Sequence, residues 1–179
     1  MAKDRGKIHT ICECALFSAL ICVLSPFVVP IGPVPVSLSL FAVMFTGSVL
    51  SVRKSLVAVV VYILAGSVGI PVFAGFQGGF SQLLSPTGGY IWSYFAVALI
   101  VSACAKKGLC VHLTGGFLSL VVCYVSGTLW YMFLTDTRSL VTVLTICVIP
   151  FVPFDIIKTF AAIVLGRKVK HTLIKQNLL

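Results

Sequence analysis

Asp155 and Lys158 are an acid and a base three positions apart, inside an apolar stretch near the end of the 179-residue chain. Side chains three apart share one face of a helix, so the two groups can meet. Together they offer an acceptor for N–H groups and a cation for a carboxylate or carbonyl. The alternative is an ion pair that only fixes helix packing, but such a buried pair seldom stabilises a protein more than apolar residues of similar size. We therefore predict a polar binding site at this pair.

The surroundings of the pair are lipid-like in composition. Apolar residues make up 59% of the chain and charged residues 9%, whereas a soluble domain of this length has roughly a quarter of its residues charged. The basic residues fall in short clusters between apolar runs, which is typical of membrane topology signals and not of a nucleic-acid-binding face. Seven cysteines, an odd number without paired Cys/His spacing, argue against a zinc site or a disulfide framework. We predict an all-α integral membrane protein.

A spanning helix needs about 20 residues to cross about 30 Å of hydrocarbon. On this basis the chain forms a single membrane domain, residues 1–179, with six predicted spans: 8–28, 36–52, 55–70, 88–105, 111–134 and 139–166. Pro150 and Pro153 should kink or break the sixth span, because proline removes a backbone donor.

The lysines and arginines of the connections predict the orientation. Eleven of them lie at the N-terminus, in the 2–3 and 4–5 connections and in the C-terminal tail, whereas the opposite connections hold only Arg138. Positive charge marks the cytoplasmic side. Both termini are therefore predicted to be cytoplasmic, in a multi-pass protein of the inner (cell) membrane.

Two uncharged outer segments interrupt the predicted spans. Residues 26–37 contain four prolines and should be extended and stiff. Residues 66–90 are rich in glycine and aromatic residues and too broken for a spanning helix. Non-helical backbone at membrane depth persists only when it is buried in protein or lines a cavity. This segment is either a lid over a small apolar ligand or an interfacial loop.

The sequence lacks the residues that several other functions require. There is no glycine-rich Walker A loop before Lys54 and Ser55, so the chain has no ATPase motif of its own. No serine–histidine or carboxylate cluster indicates an intramembrane hydrolase. A proton or sodium relay calls for several membrane acids, and only Asp155 qualifies.

Five segments resemble the BioY family, the biotin-binding S components of energy-coupling factor (ECF) transporters. They are Pro33-Val-Pro-Val-Ser-Leu38, Gly66-Ser-Val-Gly-Ile-Pro-Val-Phe-Ala74, Leu84-Ser-Pro-Thr-Gly-Gly-Tyr90, Gly127-Thr-Leu-Trp130 and Pro150-Phe-Val-Pro-Phe-Asp-Ile-Ile-Lys158. The resemblance implies the six-helix S-component fold and capture of biotin from outside, with a membrane coupling protein and two ATPases as partners. ATP would then be used only by the partners, and the chain itself would be no enzyme and need no cofactor. Ala15 and Ala19 match the small-residue motif by which the first helix of S components docks the coupling protein.

The resemblance also implies a set of substrate contacts. Asp155 and Lys158 are the main polar contacts. Our own hypothesis is that Asp155 contacts the ureido ring and Lys158 the carboxylate; the alternative is that both contact one end of the ligand. The family usually has Thr-Leu-Gln where this chain has Ser37-Leu38-Ser39, so a glutamine contact would be lost or shortened at Ser39. The full implied set is Asp155, Lys158, Phe73, Ala74, Gln77, Gly79, Thr87, Gly88, Tyr90, Trp130 and Ser39.

Three alternatives remain at this point: a solitary biotin facilitator, an S component for another vitamin, and a small intramembrane enzyme that uses Asp155 as a general base. The enzyme lacks a second catalytic group.

Overall fold

Helices make up most of the chain in the computed structural model, which describes residues 2–29, 36–136, 139, 143–145 and 148–176. The helices, in chain order, are α1 (Ala2–Leu24), α2 (Ser39–Val49), α3 (Val52–Ser67), α4 (Gly88–Cys104), α5 (Leu109–Thr135) and α6 (Val152–Lys175). Two short antiparallel strands, β1 (Val28–Val29) and β2 (Val36–Ser37), lie between α1 and α2. A 3₁₀ turn (Phe80–Leu84) precedes α4. The predicted all-α class is confirmed, with one small hairpin added.

The short helix α2 lies at the centre of the bundle. Nine of its eleven residues are buried, and it contacts α1, α3, α4 and α6. Its sequence is apolar around the whole circumference, as expected of a helix enclosed by others. The core formed around α2 joins it to α3 and α4 through Val43, Val59 and Val97, which are fully buried.

The lengths of the helices agree only in part with six spans. By length and composition, α5 and residues Lys7–Leu24 of α1 are long and apolar enough to cross a membrane. Helix α2 has eleven residues, about 16 Å at 1.5 Å per residue, so it is shorter than the predicted span 36–52. The number of spans and their orientation therefore remain predictions.

The predicted sixth span, 139–166, is interrupted within the described residues. Residues 148–151 form a turn, and α6 begins at Val152 and continues to Lys175. Pro153 lies in the first turn of α6, where a missing N–H costs nothing. The predicted break at the prolines is thus confirmed, and Asp155 lies in the first turn of the helix that follows it.

The two outer segments have the broken conformations that their compositions indicate. In the first, Val28 pairs with Ser37 and Val29 with Val36, so the ends of the proline-rich stretch are extended as predicted; residues 30–35 lie outside the described part. In the second, α3 runs to Ser67 and a tight turn brings Phe73 onto Gln77. The two segments meet where the Gly75 N–H donates to the Pro26 carbonyl (3.0 Å).

Candidate binding site

A cavity of about 350 Å³ lies where α2, α4, α5, α6 and the second outer segment converge. A volume near 300 Å³ is at the small end of ligand pockets. Its walls are mainly apolar and aromatic, with a few polar groups. The lining residues are Ser37, Ser39, Leu40, Tyr62, Phe73, Ala74, Gly75, Gln77, Gln82, Thr87, Tyr90, Ile91, Tyr94, Cys123, Tyr124, Phe151, Asp155 and Lys158.

Asp155 and Lys158 are the two charged residues among the described lining residues. The Lys158 ammonium lies 3.1 Å from Asp155 Oδ1, and the side chains are 13% and 9% exposed, respectively. The predicted contact across one helical turn is therefore present. Because the carboxylate is in the first turn of α6, the positive end of the helix dipole also favours its charge. The pair leaves the cavity with no net formal charge.

Each member of the pair has a second partner from another element. The Tyr124 hydroxyl of α5 donates to Asp155 Oδ2 (2.7 Å), and Lys158 donates to the Ser37 carbonyl of β2 (2.7 Å). An ammonium has three N–H donors, and each carboxylate oxygen has about two acceptor positions. One lysine donor and part of the carboxylate therefore remain available to a ligand. A small neutral group that both donates and accepts fits this arrangement.

Eight of the eleven predicted substrate contacts line the cavity, and three do not. Those that line it are Asp155, Lys158, Phe73, Ala74, Gln77, Thr87, Tyr90 and Ser39. Gly79, Gly88 and Trp130 lie outside the lining. The Trp130 indole instead donates to the Ser85 carbonyl (2.9 Å), so it holds the loop before α4 and is not a wall of the cavity.

Two aromatic walls of the cavity depend on glycines behind them. The ring of Phe73 packs directly on Gly66 of α3, and the ring of Tyr90 packs on Gly127 of α5. A Cβ atom at either glycine would occupy the space of the ring. Both glycines belong to the segments that carry the family resemblance, and close packing is a physical reason for them there.

Ser39 does not substitute for a long amide side chain. Its hydroxyl contacts the Ser37 hydroxyl, and the Ser39 N–H donates to that same oxygen (3.2 Å). Because Ser37 also accepts the hydrogen bond of Lys158, this contact fixes the end of β2 beside the ion pair.

The sequence reasoning missed the tyrosines of the cavity, Tyr62, Tyr94 and Tyr124. Each interrupts an apolar helix with a hydroxyl that needs a partner when buried. That signal was available in the sequence, although it does not identify the partner.

It also missed a second acid–base pair. Glu13 of α1 contacts Lys54 of α3, and its side chain is 11% exposed. His9 Nδ1 lies 3.2 Å from the other carboxylate oxygen. Glu13 is thus an acid enclosed by the bundle, and the expectation that only Asp155 qualifies was wrong.

Ala15 and Ala19 lie on the outer face of α1. Both are exposed and line a shallow apolar groove between α1 and α3. Their predicted role in docking a partner is compatible with this position and stays a prediction.

Comparison with known proteins decides the family. The sequence model of the BioY family matches residues 1–175. This chain belongs to the BioY family. It is 34% identical over 161 residues to "Biotin transporter BioY" of Thermotoga maritima, covering 88% of this chain and 94% of the relative. It is 33% identical over 177 residues to "Biotin transporter BioY2" of Lactococcus lactis, covering 93% and 94%.

The fold of this BioY chain also matches a solved structure. The crystal structure described as the S-component for biotin from an ECF-type ABC transporter superimposes with a TM-score of 0.83 at 24% identity, covering 93% of each chain. This likeness confirms the predicted S-component fold. A BioY chain with this fold and these apolar helices is a membrane protein.

Proposed function

We propose that this chain binds biotin and mediates its uptake as the substrate-specific S component of an ECF-type transporter. Membership of the BioY family over residues 1–175 carries the proposal, because the relatives are named as biotin transporters. The chain is accordingly a transport protein and not an enzyme. We infer that it spans the bacterial inner membrane six times with both ends in the cytoplasm.

The hydrogen-bonding groups and the zero net charge of the Asp155–Lys158 pair support biotin as the ligand. The ureido ring of biotin presents two N–H donors and one carbonyl acceptor, and it is neutral. Asp155 has free acceptor positions, and Lys158 has one free donor beside it. We infer that both residues contact the ureido ring, and not one at each end of the ligand.

The rest of the ligand would then meet uncharged groups. The described cavity lining offers no second cation for the carboxylate of the valerate tail. Neutral polar side chains of the second outer segment are available to it instead, namely Gln77, Gln82 and Thr87. Phe73, Tyr90 and Ile91 offer apolar surface for the thiophane ring.

Binding of biotin to the purified protein in detergent, measured by isothermal titration calorimetry, tests this proposal. Asp155→Asn and Lys158→Ala should each weaken binding by about 100-fold, because each leaves its partner charge buried and unpaired. Glu13→Gln is the matched control, since it makes the same change in the other acid–base pair and should leave the affinity within twofold. No binding by the unaltered protein would refute the substrate, and full binding by both site variants would refute the site.

The partners need a separate experiment. Uptake of labelled biotin is compared in cells that contain this chain with and without an ECF coupling protein and its two ATPases. We expect uptake to depend on those subunits, and on Ala15 and Ala19 when leucine replaces them. Equal uptake without the coupling subunits would instead indicate a solitary facilitator.

A further inference from the structure

The edge of the bundle formed by the α4–α5 connection and the end of α6 carries a dense group of cations. It contains Lys106, Lys107, Arg167, Lys168 and Lys170, which we call the basic edge. The Arg167 guanidinium donates to the Lys107 carbonyl (2.8 Å), so the connection is joined to α6. The cations are therefore held together by the fold, although they come from two distant parts of the sequence.

No carboxylate balances the basic edge within the described part of the chain. The ion pairs found there are His9–Glu13, Lys54–Glu13 and Lys158–Asp155, and none includes a cation of the basic edge. Burial, with repulsion from Lys106 and Arg167, lowers the pKa of Lys170 below its ordinary value. An anion bound beside this half-buried ammonium would offset both effects, because an opposite charge favours the charged form.

Apolar side chains alternate with these cations on the same helical turns. Leu109 and Val111 of α5 are 45% and 43% exposed, and Leu165 and Val169 of α6 are 47% and 36% exposed. An acidic soluble protein would satisfy the charges and leave these side chains in water. A phospholipid would satisfy both, because its phosphate meets the cations while its acyl chains cover the apolar side chains.

We propose that the basic edge is a binding site for the headgroup of an anionic phospholipid, with Lys106, Arg167 and Lys170 around the phosphate. Arg53 and Lys54, the neighbouring cations at the start of α3, carry less unpaired charge. Lys54 is neutralised by Glu13, and only Arg53 is left without a described ion pair. Of these two groups of cations, the basic edge therefore has more charge available to lipid.

The test measures the thermal stability of the purified protein in detergent with added dioctanoyl-phosphatidylglycerol or, as the neutral control, dioctanoyl-phosphatidylcholine. At saturating lipid, we expect phosphatidylglycerol to raise the Tm by about 3 °C or more, and phosphatidylcholine to leave it unchanged. The increase should disappear in 0.5 M NaCl, because exposed charges are screened over about 4 Å at that ionic strength.

Two double variants locate the site. Lys106→Gln with Lys170→Gln should abolish the increase, whereas Lys7→Gln with Arg53→Gln, which removes the same charge elsewhere, should retain it. Both variants should elute as the unaltered protein does in size-exclusion chromatography, so that a failure to fold is recognised and the outcome is independent of the proposed transport function. An equal response to the two lipids, or an unchanged response in the basic-edge variant, would overturn the proposal. If that variant kept its lipid response but lost uptake with the coupling subunits, the basic edge would be a protein interface instead.

Discussion

Two acid–base pairs lie inside the described part of this helix bundle, and they differ in what surrounds them. Asp155 and Lys158 are on one helix and face a cavity. Glu13 and Lys54 are on neighbouring helices, outside the cavity lining, with His9 beside the carboxylate. The two acidic side chains are similarly buried, since 9% of Asp155 and 11% of Glu13 is exposed. Burial of an acid therefore does not distinguish a binding site from a packing contact.

Access to the cavity does distinguish the two pairs, because Asp155 and Lys158 line it and Glu13 and Lys54 do not. Lys158 has a donor to spare and Asp155 has acceptor positions to spare, and both face open space. Glu13 is held between two basic side chains from α1 and α3. We interpret the first pair as the recognition element and the second as a link that holds α1 against α3.

Exchanging the acid and the base within each pair should give the largest difference in biotin affinity between the two pairs. Asp155→Lys with Lys158→Asp keeps the net charge but moves the carboxylate one turn away from Tyr124 and places a cation in the first turn of α6. We expect biotin affinity to fall more than 100-fold, because a recognition site needs each group at its own position. Glu13→Lys with Lys54→Glu should keep the affinity within threefold. Calorimetry on both double variants measures this, and loss of binding in the second would contradict our division of roles.

Filling the space behind an aromatic wall should have the next largest effect. Gly66→Ala places a methyl group in the ring of Phe73, and such overpacking costs about 1–3 kcal/mol. We expect biotin affinity to fall about tenfold as the wall moves into the cavity. Gly108→Ala is the control, since a Cβ there meets no atom within 4 Å; a similar loss in that variant would show that the effect is not specific to the wall.

Removing the hydroxyl that supports Asp155 should weaken binding less. Tyr124→Phe deletes a hydrogen bond to the carboxylate, worth about 1 kcal/mol, and the affinity for biotin should fall about fivefold. Tyr131→Phe, two turns further along α5 and outside the cavity lining, should have no effect. If Tyr124→Phe bound biotin as tightly as the unaltered protein, Tyr124 would not position Asp155.

The smallest effect concerns stability alone. Glu13→Gln should lower the Tm by about 2–4 °C, which corresponds to about 1 kcal/mol for a chain of this size. Adding Lys54→Gln should cost little more, because the interaction is already lost. A thermal shift assay on the single and double variants measures this coupling, and additive losses would mean that the two residues act independently.

The sequence predicted features that depend on neighbouring residues along the chain. The contact of Asp155 with Lys158 follows from helical spacing, and the break near Pro150 follows from the chemistry of proline. The composition of the outer segment 66–90 excluded a spanning helix, which left a lid and an interfacial loop as the two alternatives. Each of these inferences uses local physics that acts over one or two turns.

The errors concern the rotation and contacts of whole elements. Trp130 was expected to line the cavity, but α5 presents Tyr124 there instead, and only tertiary packing decides which face of a helix points inward. The Glu13–Lys54 pair joins residues 41 positions apart, a distance over which spacing carries no information. The first residue of α6, Val152, was not predicted, because the prolines indicate a break but not the residue at which the next helix begins.

The loop between the 3₁₀ turn and α4 has a practical consequence for measurement. The chain contains two tryptophans, and their indoles donate to carbonyls on both sides of the start of this loop, Trp92 to Leu83 in the 3₁₀ turn (3.3 Å) and Trp130 to Ser85 in the loop (2.9 Å). Gln82 and Thr87, on either side of those carbonyls, line the cavity. We therefore expect the intrinsic fluorescence of the unlabelled protein to change when the cavity is filled, which would allow occupancy to be followed in real time without a dye.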